Sequence, residues 1–124
     1  IIEIERIKCA YERRPALFCR RFFTGREQEQ LIKKKYAPRH LAARFAAKEA
    51  VAKLLGTGIG RHLSWKEIEV ISRANGEPQV FLHGRAAVYA EKQQLSQIAL
   101  SLSHSREYAV AQAVALILHN SYGE

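Results

Sequence analysis

Apolar and charged residues alternate over residues 1–7, where Ile2 and Ile4 stand against Glu3 and Glu5. That is the pattern of a strand, or of an extended lead-in to a helix. Over residues 11–23 the apolar positions Leu17, Phe18 and Phe22 suit a helix, with Pro15 near its beginning where a helix tolerates proline. Thr24-Gly25-Arg26-Glu27 has capping-box spacing and predicts a helix through about Lys35. Pro38 suits the first turn of the next helix, which is expected to run to Leu55 and stop at Gly56.

The second half reads as strands. Ile68 and Val70 alternate with Glu67 and Glu69, residues 79–82 form another apolar run, and Asn75-Gly76 between them is a hairpin signal. A helix is expected from Gly84 to about Leu95. A second strand pair follows, residues 98–104 and 108–118, in which small residues (Ala109, Ala111, Ala113, Ala115) would let another layer approach closely. Helices followed by hairpins indicate an α+β domain with an antiparallel sheet packed against helices.

At 124 residues the chain is one domain's worth, so residues 1–124 are read as a single unit. With 48% hydrophobic and 26% charged residues it reads as a soluble globular chain. The apolar stretch near the C-terminus is too short to span a bilayer, and no signal-peptide pattern opens the chain, so no membrane partner is expected. Cys9 and Cys19 lack CxxC spacing; reduced thiols and a cytoplasmic location are the expectation.

Charge sharpens the picture. Through Arg73 there are 17 Lys/Arg against 8 Glu, and from Ala74 onward 3 against 4, so the net +8 lies entirely in the first part. Such asymmetry implies a polyanionic partner: nucleic acid, a phosphorylated cofactor or an acidic protein. There is no Asp and no Met, and the natural start is expected upstream of Ile1.

The run Arg44-Phe-Ala-Ala-Lys48-Glu49-Ala-Val-Ala-Lys53 concentrates the candidate chemistry. Glu49 and Lys53 share one helix face, with Phe45 a turn earlier. One acid among Arg44, Lys48 and Lys53 suits a divalent metal and phosphate groups on one substrate; the plain alternative is a solvated face with an i,i+4 ion pair. The turn Gly56-Thr-Gly58-Ile-Gly60 lacks Walker spacing; its amides could line an anion site, or it is only a helix cap and loop. His104, flanked by Ser103 and Ser105, is either a further ligand or a surface loop residue. There is no partner Asp for a hydrolase triad, and no Cys has His at metal-ligand spacing. A nucleic-acid-binding module would explain the charge but not the lone Glu49, and it lacks a helix-turn-helix signature, so no nucleic acid partner is expected.

Taken together, residues 1–7, Arg44-Phe-Ala-Ala-Lys-Glu-Ala50, Gly56-Thr-Gly-Ile-Gly60, Trp65-Lys-Glu-Ile-Glu-Val70, Asn75-Gly-Glu-Pro78 and Ser101-Leu-Ser-His-Ser-Arg-Glu-Tyr-Ala-Val-Ala111 resemble bacterial holo-acyl-carrier-protein synthases. These are the small, single-domain branch of the 4′-phosphopantetheinyl transferases. The resemblance covers nearly the whole chain. It implies that fold, assembled as a homotrimer with interfacial active sites. The implied activity is Mg²⁺-dependent (or Mn²⁺-dependent) transfer of 4′-phosphopantetheine from coenzyme A to a serine of apo-acyl carrier protein, releasing adenosine 3′,5′-bisphosphate, in fatty acid biosynthesis.

The resemblance also implies roles. Glu49 matches the metal-binding glutamate and Lys53 the lysine downstream of it, both catalytic. Lys48 and Arg44 would add to the phosphate site, with Arg44 and His104 candidates for the 3′-phosphate. Gly56, Gly58 and Pro78 would shape the nucleotide pocket. Arg6 and Arg13 match carrier-protein-binding positions that Arg14, Arg20 and Arg21 extend. The family's second metal ligand is an Asp in a Gly-x-Asp that would lie just before Ile1.

Overall fold

The structure is a computed structural model, in which residues 1–117 are described. The elements run β1 (Ile2–Glu3), α1 (Ile4–Arg13), α2 (Pro15–Phe22), α3 (Gly25–Lys33), α4 (Pro38–Leu54), a 3₁₀ turn (Trp65–Glu67), β2 (Ile68–Ser72), β3 (Pro78–Leu82), α5 (Gly84–Lys92), β4 (Leu95–His104) and β5 (Tyr108–Ile117). They form an α+β domain with two antiparallel sheets, one ordered β1-β5-β4 and the other a β2-β3 hairpin.

Local chemistry explains where the elements begin and end, and where the sequence misleads. The first segment is both things its pattern allowed: Ile2 and Glu3 pair with Ala109 and Tyr108, and a helix starts at once at Ile4. The helix expected over residues 11–23 is instead two, broken at Arg14 (φ −148°, ψ 79°). Proline excludes the preceding residue from helical backbone, so Pro15 opens α2 instead of continuing α1. The capping box at Thr24 is present in full, each partner bonding the other's backbone N–H. Lys35 and Tyr36, at φ 55° and 51°, turn the chain out of α3 two residues earlier than expected. Gln94 at φ 55° likewise ends α5 before Leu95, which starts β4 instead. The last position of the second expected strand pair, Leu118, lies outside the described residues.

α4 is the central element. It packs across β5, where the inward side chains are the small Ala109, Ala111 and Ala113, so the expected close approach of a second layer is realised. Its first half joins a core with Ile7, Phe18, Phe23 and Leu31, and its second half a core with Leu63 and Ile68. The opposite face of β5 presents Tyr108, Val110, Val114 and Leu116 to solvent.

The outer edge of β2 is closed by side chains, not by another strand. Glu27 Oε2 accepts the Val70 N–H at 2.9 Å, and Gln30 brackets Ser72, accepting its N–H at 2.9 Å and donating to its carbonyl at 2.8 Å. From α4, Arg44 Nε donates to the Val70 carbonyl at 3.3 Å and Lys48 Nζ to the Ile68 carbonyl. Four polar side chains from two helices thus do the work of a neighbouring strand, and leave no open edge for pairing. Glu69, which alternates with the apolar Ile68 and Val70, is 3% exposed, and Thr24, Arg26 and His83 all bond its carboxylate. Burial raises the Glu69 pKa, but those bonds prevail and hold it below the usual carboxylate range.

Replacing Glu27 by alanine leaves Lys48 buried without its counter-charge and the Val70 amide without an acceptor. The expected cost is about 3–5 kcal/mol in urea unfolding, with faster amide exchange at Val70. A change under about 1 kcal/mol with Val70 still protected contradicts this reading of the β2 edge.

Candidate active site

α4 sorts the cations and the acid of residues 44–53 onto different faces. Positions four apart stack on one face and adjacent positions differ by about 100°. Arg44 and Lys48 therefore face inward together, and Glu49 and Lys53 outward together. Arg44 is 6% exposed and Lys48 is 0% exposed, whereas Glu49 is half-buried and Lys53 exposed. Among the described residues Glu49 makes no ion pair or hydrogen bond, so the plain i,i+4 pair with Lys53 is not formed.

One turn before Glu49 stands Phe45, whose ring lies 4.1 Å (centroid to centroid) from Trp65 and 5.1 Å from Phe22. Phe22 and Trp65 close the triangle at 5.2 Å. A carboxylate with no protein partner thus lies one turn along the helix from an aromatic cluster. It is a hard oxygen donor, the type that Mg²⁺ or Mn²⁺ takes.

Around the helix lies a cavity of about 570 Å³, formed by the end of α3, the start of α4, the β2–β3 hairpin and the end of β4. Lys33, Lys34, Arg44, Arg73, His40 and His104 line it, and among the described residues no carboxylate does. Such a lining selects for an anion. His104 also borders an adjoining recess with Arg39 and Arg106. Arg44 and His104, expected to act together, therefore meet in one cavity.

A family model of the 4′-phosphopantetheinyl transferase superfamily matches residues 1–113. This chain belongs to that superfamily. It is an enzyme, a transferase of the phosphopantetheinyl class. It is 47% identical over 121 residues to a holo-[acyl-carrier-protein] synthase of Caldanaerobacter subterraneus, covering 98% of this chain and 94% of the relative. It is 49% identical over 117 residues to the one from Chlamydia caviae, covering 94% and 93%. Among solved structures it is similar to the Helicobacter pylori holo-[acyl-carrier-protein] synthase in complex with coenzyme A (TM-score 0.80, 28% identity, 93% of this chain and 95% of that one). It is likewise similar to the Neisseria meningitidis synthase (TM-score 0.83, 31% identity, 93% and 92%).

Within this transferase, the structure corrects one expectation and decides between two alternatives left open for the turn after α4. Lys48 does not reach a phosphate site: its ammonium donates to Glu27 Oε1 at 2.8 Å, to the Trp65 carbonyl at 3.0 Å and to the Ile68 carbonyl. An ammonium has three protons, and all three are engaged. Burial lowers its pKa, which Glu27 partly restores. The turn after α4 is a cap and not an anion nest. Gly56 at φ 82° and Gly58 at φ 67° take left-handed backbone, and their N–H groups bond the Lys53 and Ala52 carbonyls. Gly56, Gly58, Glu49 and Lys53 do not line the cavity, and neither does Pro78, although its strand partner Ser72 does. Arg6, Arg13, Arg14 and Arg21 are exposed on α1, α2 and the break between them, away from the cavity lining.

The sequence reading missed Lys33, Lys34, His40 and Arg73, which come from three separate segments. His40 is depressed below 6.5, first by burial and then by Arg39, Lys34, Arg44 and His104. Below pH 6.5 the unfolded chain binds this proton more readily than the fold does, so the fold is penalised as pH falls through 6.5 toward the lower folded value. Stability should fall on going from about pH 7.5 to about pH 5.5, and His40→Gln should shrink that fall. Denaturant titrations at each pH check this; an undiminished fall in the variant contradicts it.

Proposed function

We propose that this protein is a holo-acyl-carrier-protein synthase, transferring 4′-phosphopantetheine from coenzyme A to a serine hydroxyl of apo-acyl carrier protein. The names of its full-length relatives support that reading, and the observation that carries it is the unpartnered Glu49 on the helix that also sends Arg44 into a cation-lined cavity. Glu49 and Arg44 face different sides of α4, so one donor molecule meets both where a neighbouring copy brings its own Glu49 to the Arg44 cavity.

In this reading the serine oxygen attacks the β-phosphorus of coenzyme A, and the bond from that phosphorus to the bridging oxygen breaks. Adenosine 3′,5′-bisphosphate leaves with the electron pair. Glu49 takes the serine proton, directly or through water, and Lys53 offsets charge on the phosphate oxygens and the leaving group. Arg44 and His104 hold the 3′-phosphate, with Lys33, Lys34 and Arg73 adding positive potential. Glu49, together with an aspartate just upstream of Ile1, would hold Mg²⁺ (or Mn²⁺), whose chemistry when bound is to neutralise pyrophosphate charge.

The exposed arginines of the α1–α2 region (Arg6, Arg13, Arg14 and Arg21) suit an acidic carrier protein, whose attraction would be salt-sensitive. The uncovered apolar face of β5 suits burial against neighbouring copies, as in the homotrimer with shared sites that the resemblance implies.

The test is transfer of labelled phosphopantetheine by the full-length protein to apo-acyl carrier protein, with and without Mg²⁺, for wild type and Glu49→Ala. Metal-dependent transfer is expected, with kcat lowered about 100-fold or more in the variant. No transfer by the full-length wild type overturns the function, and a wild-type rate in the variant overturns the role of Glu49.

A further inference from the structure

Arg44 is held in an unusual way for a buried cation. Its Nη2 donates to Gln30 Oε1 at 2.7 Å and its Nε to the Val70 carbonyl at 3.3 Å, and among the described residues it has no carboxylate partner. The nearby carboxylate of Glu27 is already bonded to Lys48, to the Thr24 N–H and to the Val70 N–H. A guanidinium has five N–H donors, so three remain for whatever enters the cavity.

Gln30 is itself fixed. Its Oε1 accepts the Ser72 N–H at 2.9 Å while its Nε2 donates to the Ser72 carbonyl at 2.8 Å. That bidentate clasp on the strand edge leaves one orientation of the amide, because the flipped form would set N–H against N–H at both Ser72 and Arg44. The strand therefore aims Oε1, and Oε1 aims Arg44. An amide is also neutral. It orients the guanidinium without cancelling its charge, which a glutamate at the same place would do.

We infer that Gln30 is a positioning residue that holds Arg44 in place, with no carboxylate bonded to it, to receive a phosphate of the nucleotide donor. This rests on the role proposed above for Arg44. It explains why the polar group between α3 and Arg44 is an amide in a cavity free of carboxylates.

The experiment measures binding of adenosine 3′,5′-bisphosphate and of adenosine 5′-monophosphate to the whole protein by calorimetry, with urea unfolding in parallel. The readout is the ratio of the two affinities, which a merely structural role for Gln30 would leave alone because both ligands would suffer alike. Arg44→Met should abolish the preference for the bisphosphate. Gln30→Met should reduce it about tenfold, and Gln30→Glu at least as much even though it retains an acceptor for Arg44. A preference lost in Arg44→Met but kept in both Gln30 variants overturns the positioning role and leaves the Arg44 reading intact. A preference kept in Arg44→Met overturns that reading and the inference with it.

Discussion

The buried pair of Lys48 and Glu27 is the constraint on which the rest of the structure depends. Both side chains are fully buried, 2.8 Å apart, and each is further bonded to backbone of the β2 segment. Burying two charges is costly, and the cost is offset only when every proton and lone pair near them is satisfied. That requirement permits one rotation of α4 against α3 and β2. Once it is met, the order of residues 44–53 dictates the outcome: Arg44 and Lys48 face inward, and Glu49 and Lys53 face outward.

The same requirement distributes the acids. Glu27 is engaged by Lys48, Glu69 by Thr24, Arg26 and His83, and Glu67 by the Ser64 N–H and Arg85. These carboxylates tie helices to the hairpin and are unavailable for chemistry. Glu49 is the half-buried carboxylate left over, and the cavity beside α4 is left without any. A free hard ligand and a separate cationic recess on one helix suit the proposed metal-assisted transfer from a polyphosphate donor. The superfamily membership and this layout agree with one another.

Much of this was legible in the chain, for physical reasons. Local signals act locally, so the capping box at Thr24, the helix opened by Pro38 and the hairpin at Asn75-Gly76 could all be read from neighbours in sequence. The alternation of Ala109 through Ala115 likewise announced a close-packed face. Pro15 misled because a proline that begins a helix and one that ends its predecessor look the same until the residue before it is seen. Lys48 and Lys53 were indistinguishable as lysines in one helical run; a glutamate 21 residues away and two backbone carbonyls decide which is buried. Lys33, Lys34 and Arg73 escaped notice because the cavity gathers them only in three dimensions.

The central claim is that this helix carries a structural half and a reactive half, interleaved. It is tested most directly by comparing Lys48→Met with Glu49→Gln, measuring urea unfolding and coenzyme A turnover on the same preparations. Lys48→Met should lose at least about 3 kcal/mol of stability because Glu27 is left buried and unpaired. Glu49→Gln should stay within about 1 kcal/mol of wild type while losing turnover. A Lys48→Met protein as stable as wild type but defective in binding coenzyme A would place Lys48 on the ligand and contradict the account.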